Sequence, residues 1–224
     1  MNPTADRRKA ARKPVMPRPL FYTFGLALLA LVIYKSVYFK KLDEVKAAGT
    51  AGAGTFQASP YARTFWTGKL LPAAPGMATD LGTLLTELKT DKDRAFSAHS
   101  HAMGIGNIRY FLVKGEGTVS AVSDNEVTVA LPTGEAVRLA TEFIFGNAAR
   151  DASGLINIIE FDNTTYLNNV SAELNGIIRA QVVPVLKASA KPGKPLRFIG
   201  AMELNQAHLH TDELTIIPIQ VGLR

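Results

Sequence analysis

The sequence predicts an N-terminal transmembrane helix followed by an α+β domain built on a small OB-like β-barrel with flanking helices. Three observations carry that prediction. One twenty-residue apolar segment, residues 20–39, holds a single charge, Lys35. From residue 110 onward the apolar residues alternate with polar ones, the period of half-buried strands. The strand-like stretches come as three, then a long insertion containing a helix, then two. That is the order of an OB-type barrel, and a β-sandwich of other topology is the alternative.

Residues 1–19 are polar and basic, with Arg7, Arg8, Lys9, Arg12, Lys13 and Arg18 and no apolar periodicity. They read as a disordered cytoplasmic tail. Residues 20–39 are long enough to cross a bilayer core, since a helix rises about 1.5 Å per residue and needs roughly 20 residues. Tyr34 and Tyr38 suit the headgroup belt, and Lys35 can snorkel to it. Residues 1–46 hold ten Lys or Arg against Asp6, Asp43 and Glu44, a net of +7; the remainder holds fifteen basic against sixteen acidic residues, a net of −1. The positive-inside rule therefore sets the N-terminus in the cytoplasm and exports the rest. The charged KKLDEVK that follows the apolar segment favours an uncleaved anchor over a cleaved signal peptide.

The near-neutral exported part lacks the cationic footprint of a nucleic-acid binder. With no cysteine in the chain, disulfides, thiol nucleophiles and Cys-based zinc sites are excluded. Residues 40–55 form a linker: 40–46 continue the helix, and the Ala/Gly-rich 47–55 are flexible.

Residues 56–109 read as a helical segment packing on the barrel. Tyr61, Phe65 and Trp66 fall at helical spacing, as one apolar face docking on the domain. Residues 79–88 form a helix capped by Asp80 or Thr79, with Leu81, Leu84, Leu85 and Leu88 in one stripe. Residues 90–98 are a second short helix and 97–107 a loop.

Residues 110–224 are the barrel. Strands cover 110–122, 126–131 and 135–140, joined by turns at Ser123-Asp124-Asn125 and Pro132-Thr133-Gly134. Gly115 and Gly117 mark a bent first strand. Ser171 is the expected cap of a helix running to about Lys187. Its stripe is Val170, Leu174, Ile177, Ile178, Gln181, Val182 and Val185, and Pro184 bends or ends it. Strands at 195–204, containing Gly200, and 213–221 complete the barrel.

The most site-like stretch is residues 143–175, where polar residues crowd between two apolar runs. Asn147, Arg150, Asp151, Ser153 and Asn163 are the candidate ligand-binding residues. Arg offers a planar fork of donors for carboxylate, phosphate or sugar hydroxyls, and Asn both donates and accepts. The competing reading is internal: Arg150 pairs with Asp151 or Glu173, and the asparagines satisfy turn backbone. His208 and His210 are weak metal candidates, as are His99 and His101, because i and i+2 share a face on a strand. No third ligand stands near either pair, so solvent-exposed histidines are the favoured reading. No nucleophile elbow, dinucleotide fingerprint or paired carboxylates occur, so no catalytic constellation and no cofactor is expected.

Gly146-Asn147-Ala148-Ala149-Arg150-Asp151-Ala152, Phe161-x-Asn163 and Val170-Ser171-x-Glu173-Leu174-Asn175 resemble a bacterial family, domain of unknown function 2291, the predicted periplasmic lipoproteins. Trp66-x-x-Lys69-Leu70-x-Pro72, Val113-Lys114-Gly115-x-Gly117-x-Val119 and Gly200-Ala201-x-Glu203-Leu204-Asn205 extend the resemblance over roughly residues 20–223. It implies export and an association with sugar ABC transporters, and no established activity. The family's lipid-attachment cysteine is absent here, and the segment 20–39 replaces it as the tether. The chain thus reads as a non-enzymatic, single-pass inner-membrane protein with a periplasmic domain that binds a small polar ligand or a transporter component. The alternatives are an assembly factor docking another envelope protein and, third, a hydrolase with an unrecognised site.

Overall fold

A computed structural model describes residues 56–223. The cytoplasmic tail 1–19, the anchor 20–39 and the linker 40–55 lie outside the described residues. Among the described residues no helix is long and apolar enough to cross a membrane.

The described chain forms α1 (Ala58–Phe65), a π turn (Trp66–Leu70), α2 (Leu71–Met77), β1 (Thr79–Asp80), α3 (Leu81–Thr90), α4 (Lys92–His99) and β2 (Ser100–His101). The strands β3 (Ile108–Val122), β4 (Glu126–Ala130) and β5 (Ala136–Ala140) follow. The insertion holds α5 (Ala148–Asp151), a 3-10 turn (Ile158–Glu160), α6 (Thr164–Ile177), a second π turn (Ile178–Val182) and α7 (Val183–Ser189). The chain closes with β6 (Pro195–Asn205) and β7 (Thr215–Leu223).

The strands are ordered β3-β4-β5-β7-β6, and β3 also pairs with β6, so five strands close into a barrel. The expected OB-like order is present. The closure is uneven. β3 and β6 pair along eleven positions from Ile108↔Asn205 to Thr118↔Pro195, whereas β5 and β7 meet in parallel only at Arg138↔Thr215 and Leu139↔Ile216.

Alternation along the strands fills the interior. Val127 and Val129 on β4 and Val137 and Leu139 on β5 are fully buried, together with Phe111 and Val113 on β3. The leucine stripe of α3, Leu81, Leu84, Leu85 and Leu88, joins this same cluster, as does Leu186 of α7. The Asp80 carboxylate accepts from the Thr83 amide at 2.9 Å and caps α3. Thr79 and Asp80 lie in strand conformation along β3, at Val113 and Lys114.

A second core lies outside the barrel wall. Tyr110 and Leu112 of β3, Ala201 of β6 and Ile217 and Ile219 of β7 pack there against Phe65, Trp66 and Leu70 and against Leu167, Val170, Leu174 and Ile178. Over Tyr110–Val113 β3 is thus buried on both faces, with Phe111 and Val113 in the barrel core and Tyr110 and Leu112 in the outer one. Trp66, 2% exposed, packs inside the domain, as the helical spacing predicts.

Three expectations are corrected. The cap of the long helix is Asn163, whose Oδ1 accepts from the Tyr166 amide at 3.0 Å; Ser171 sits buried within the helix, seven residues past its start. The helix stripe also shifts. The π turn at Ile178–Val182 adds a residue to one helical turn, so Val183 and Leu186 face the core while Gln181 and Val185 are exposed. Pro184 sits just past that turn, and having no N–H it cannot bond the preceding turn in any case. Lastly, residues 97–107 are not wholly a loop. His99 ends α4, and Ser100 and His101 pair with Phe111 and Tyr110.

Candidate functional site

Gly146 turns the chain with φ +79, a left-handed conformation that a side chain disfavours, and starts the short helix α5. All four residues of α5 are buried. Arg150 and Asp151 are 4% and 3% exposed. The Arg150 Nε–H donates to Asp151 Oδ1 at 2.5 Å and an NH2 hydrogen to Oδ2 at 2.9 Å, a two-point pair. An NH1 hydrogen donates to the Leu167 carbonyl of α6 at 3.2 Å. Two charges taken out of water this far need close Coulomb attraction and hydrogen bonds to persist, and the two-point pair with the third bond to Leu167 provides both.

Helix α6 holds the turn from the other side. The Ser171 hydroxyl donates to Asn147 Oδ1 at 3.0 Å, and the Asn175 amide donates to the Gly146 carbonyl at 3.0 Å. Arg179 donates to the Ile144 carbonyl. The Asn147 amide in turn bonds the Tyr110 hydroxyl of β3, and burial, followed by the charge of Glu203, raises the Tyr110 pKa. The internal partner of Arg150 is therefore Asp151, and Glu173 is exposed on α6.

Arg150 and Asp151 nonetheless reach a surface. With Asn147 and Tyr110 they line a cleft of about 320 Å³, whose walls come from Met103, Ile105, Ile108, Ile158 and Leu167. Thr164 and Asn168 of α6 also line it, and the rest of the lining is aliphatic or glycine. Ile105 is fully exposed, Ile108 is 39% exposed and Ile158 is 45% exposed. Sequence reasoning missed these isoleucines and Tyr110. An isolated Ile in a Gly-rich loop such as Gly104-Ile105-Gly106 is the one visible sign that such a residue has no core to join.

The five candidate residues are only partly brought together. Asn147, Arg150 and Asp151 share the cleft. Asn163 is an exposed helix cap. Ser153, 1% exposed, accepts from the Leu155 amide at 3.3 Å and faces a different cavity of about 100 Å³, alongside Thr79, His99 and His101.

The histidines separate in the same way. His99 is not a free surface residue: its Nε2 lies 2.7 Å from Glu87 Oε2 and its Nδ1 3.2 Å from Thr79 Oγ1, tying α4 to α3 and β1. Partial burial, and then the Arg109 charge, lower the His101 pKa. His208 and His210 sit exposed in the β6–β7 loop, where Asn205 Oδ1 accepts from the Ala207 and His208 amides. Among the described residues no group of three His, Asp or Glu stands close enough to hold a metal ion.

Two comparisons bear on these observations. A family model described as "Predicted periplasmic lipoprotein (DUF2291)" matches residues 27–222. The fold is similar to the crystal structure of an OB-fold protein from Thermotoga maritima, at 24% sequence identity and a TM-score of 0.68. The match covers 75% of this chain and 99% of that one. No curated protein matches the chain.

Proposed function

Because the chain belongs to the family of predicted periplasmic lipoproteins DUF2291, we propose that it is a single-pass inner-membrane protein that acts in the periplasm as a docking module for another envelope protein, without catalysis at its cleft. Lacking a cysteine to acylate, it uses residues 20–39 as its tether.

The observation that carries the docking reading is the contrast between floor and rim. The Arg150 charge is spent on Asp151, so the cleft offers no net cation to draw in an anionic metabolite. The rim exposes Ile105, Ile108 and Ile158, and Ile159 beside them is 83% exposed. Fully burying an aliphatic side chain is worth about 1.5–3 kcal/mol, so covering this rim gives a partner several kcal/mol. The occupant we favour is another envelope protein, because the surface exposed at the rim is aliphatic.

A small polar ligand such as a sugar is the second reading, and the polar floor favours it. Against it, no aromatic face is presented for a sugar ring to stack on among the cleft residues other than the buried Tyr110.

One experiment tests location and docking together in cells. Alkaline phosphatase fused after Arg224 is expected to be active, and a cytoplasmic, inactive fusion removes the reading. A photo-crosslinking residue at Ile105 in the full chain is expected to capture one envelope protein. The same residue at Val185, which is 53% exposed and elsewhere on the surface, should capture none. The Ile105 adduct should vanish in Ile158→Asp. An adduct that survives Ile158→Asp, or forms equally from Val185, counts against docking at the cleft.

A further inference from the structure

Away from the cleft, three side chains from three elements stand in line. His99 Nε2 lies 2.7 Å from a Glu87 carboxylate oxygen, and His99 Nδ1 lies 3.2 Å from the Thr79 hydroxyl oxygen. An ionised carboxylate only accepts, so in the neutral ring the hydrogen sits on Nε2. Nδ1 then turns its lone pair to the Thr79 hydroxyl. A hydroxyl within reach of an imidazole that a carboxylate orients is the arrangement of an activated nucleophile. Each member is placed by its own element. Thr79 is in register with Val113 of β3, Glu87 lies on the leucine-striped α3, and His99 ends α4.

The line opens on a space. Thr79 is half-buried, and with His99 it borders the cavity of about 100 Å³. Ser153, 1% exposed, brings a second hydroxyl to the same cavity, where it can donate to an oxygen. His101 closes another side. A Cβ on Gly154 would lie 2.5 Å from His101 Nδ1, so the missing side chain at Gly154 makes room for that ring. The volume is well below the roughly 300–1,000 Å³ of sites for drug-sized ligands. It has room for a short acyl group such as acetyl and excludes a sugar.

We infer that Thr79, His99 and Glu87 form an acyl-transfer site that hydrolyses small esters, with Thr79 as nucleophile, His99 as base and Glu87 as the residue that positions the ring. The site is separate from the cleft and stands or falls independently of the docking reading. The Thr79 oxygen bonds to the acyl carbon while its proton passes to His99 Nδ1. The tetrahedral oxyanion collapses, the bond from carbon to the alcohol oxygen breaks, and the alcohol leaves with the proton from Nδ1. Water then attacks the acyl-threonine and gives a proton to Nδ1. The acid departs as Thr79 takes that proton back. The sum is ester plus water to acid plus alcohol.

The test gives the full chain in detergent 4-nitrophenyl acetate, follows nitrophenol release, and maps acetyl groups on acid-quenched protein by mass spectrometry. Thr79→Val keeps the shape and removes the hydroxyl. It is expected to slow release about a hundredfold, the low end for general acid–base catalysis, while Thr79→Ser retains activity. Acetyl is expected on Thr79 of the unaltered chain and not on that of His99→Gln. Glu87→Gln keeps an acceptor for Nε2–H but no charge to balance an imidazolium. It should lower the maximal rate and leave the ester concentration at half-saturation unchanged, whereas a purely structural role would disturb both. Melting by circular dichroism checks that each variant is folded. Release as fast from folded Thr79→Val as from the unaltered chain removes the site and leaves the three residues as a structural tie. Should Thr79→Val unfold, acetyl found on lysine or histidine alone in the unaltered chain has the same consequence.

Discussion

Asp151→Ala should cost the domain about 3–5 kcal/mol, the range found when one member of a buried ion pair is removed and the other is left uncompensated. For a domain of this size that corresponds to a drop in Tm of roughly 10–15 °C. The reason lies in where Arg150 sits. It is 4% exposed, and two of its three hydrogen-bonding nitrogens are committed to Asp151. With the carboxylate gone, only the Leu167 carbonyl is left to accept from its guanidinium. The guanidinium does not escape by losing its proton. The diagnostic companion is the double variant Arg150→Met with Asp151→Leu. If the pair is held only for packing, replacing both with apolar residues of similar volume recovers most of the loss, because no charge is left to desolvate. Thermal denaturation by circular dichroism checks both variants. A loss below about 1 kcal/mol for Asp151→Ala would mean that the pair is not buried as described.

The same pair shows what the sequence reveals and what it withholds. Two oppositely charged residues side by side, Arg150-Asp151, already suggested mutual satisfaction, and the bidentate contact bears that out. Strands were legible wherever one face is wet. Val127 and Val129 alternate with half-buried or exposed neighbours, and Val137 and Leu139 flank the half-buried Arg138. The run Tyr110-Phe111-Leu112-Val113 is buried on both faces, so alternation vanishes and nothing local says which side chain enters the barrel. The sequence reading started α6 at Ser171, but the helix begins at Thr164 under an Asn163 cap, and the Ser171 hydroxyl donates to Asn147, twenty-four residues upstream. That choice is made by tertiary contact, as is the π turn that moves the apolar stripe from Val185 to Leu186. The largest surprise concerns the apolar runs around the site. Hydrophobic runs normally join a core, yet Phe143 and Phe145 are 63% and 70% exposed on either side of a buried Ile144, and Ile158 and Ile159 are also exposed. Composition records that a residue is apolar, not that the fold leaves it outside.

Gly117→Ala should be the second most damaging single substitution, costing about 3 kcal/mol, the upper end of the usual range for overpacking, and lowering Tm by roughly 6–12 °C. Gly117 lies in β3 where that strand has neighbours on both sides at once, paired with Leu196 of β6 and one residue before the Thr118↔Ala130 pairing with β4. A Cβ added there would overlap the Ala130 carbonyl oxygen and lie 2.7 Å from Val129 Cγ1 and 3.0 Å from the Ala130 carbonyl carbon. The obstacle is backbone, so no rotamer change clears it; β4 must move away from β3, and the uneven barrel has little pairing to spare. Gly176→Ala provides the internal control. Gly176 lies in α6, and a Cβ there meets nothing within 4 Å. Alanine should therefore stabilise the helix by about 0.5–1 kcal/mol by removing the entropic cost of glycine. Opposite signs for the same chemical change would show that β3 needs glycine for the closeness of β4 and not for chain flexibility. If both substitutions proved neutral, the tight β3–β4 approach that closes the barrel would be wrong, and with it the placing of Tyr110 at the cleft, since both depend on the register of that one strand.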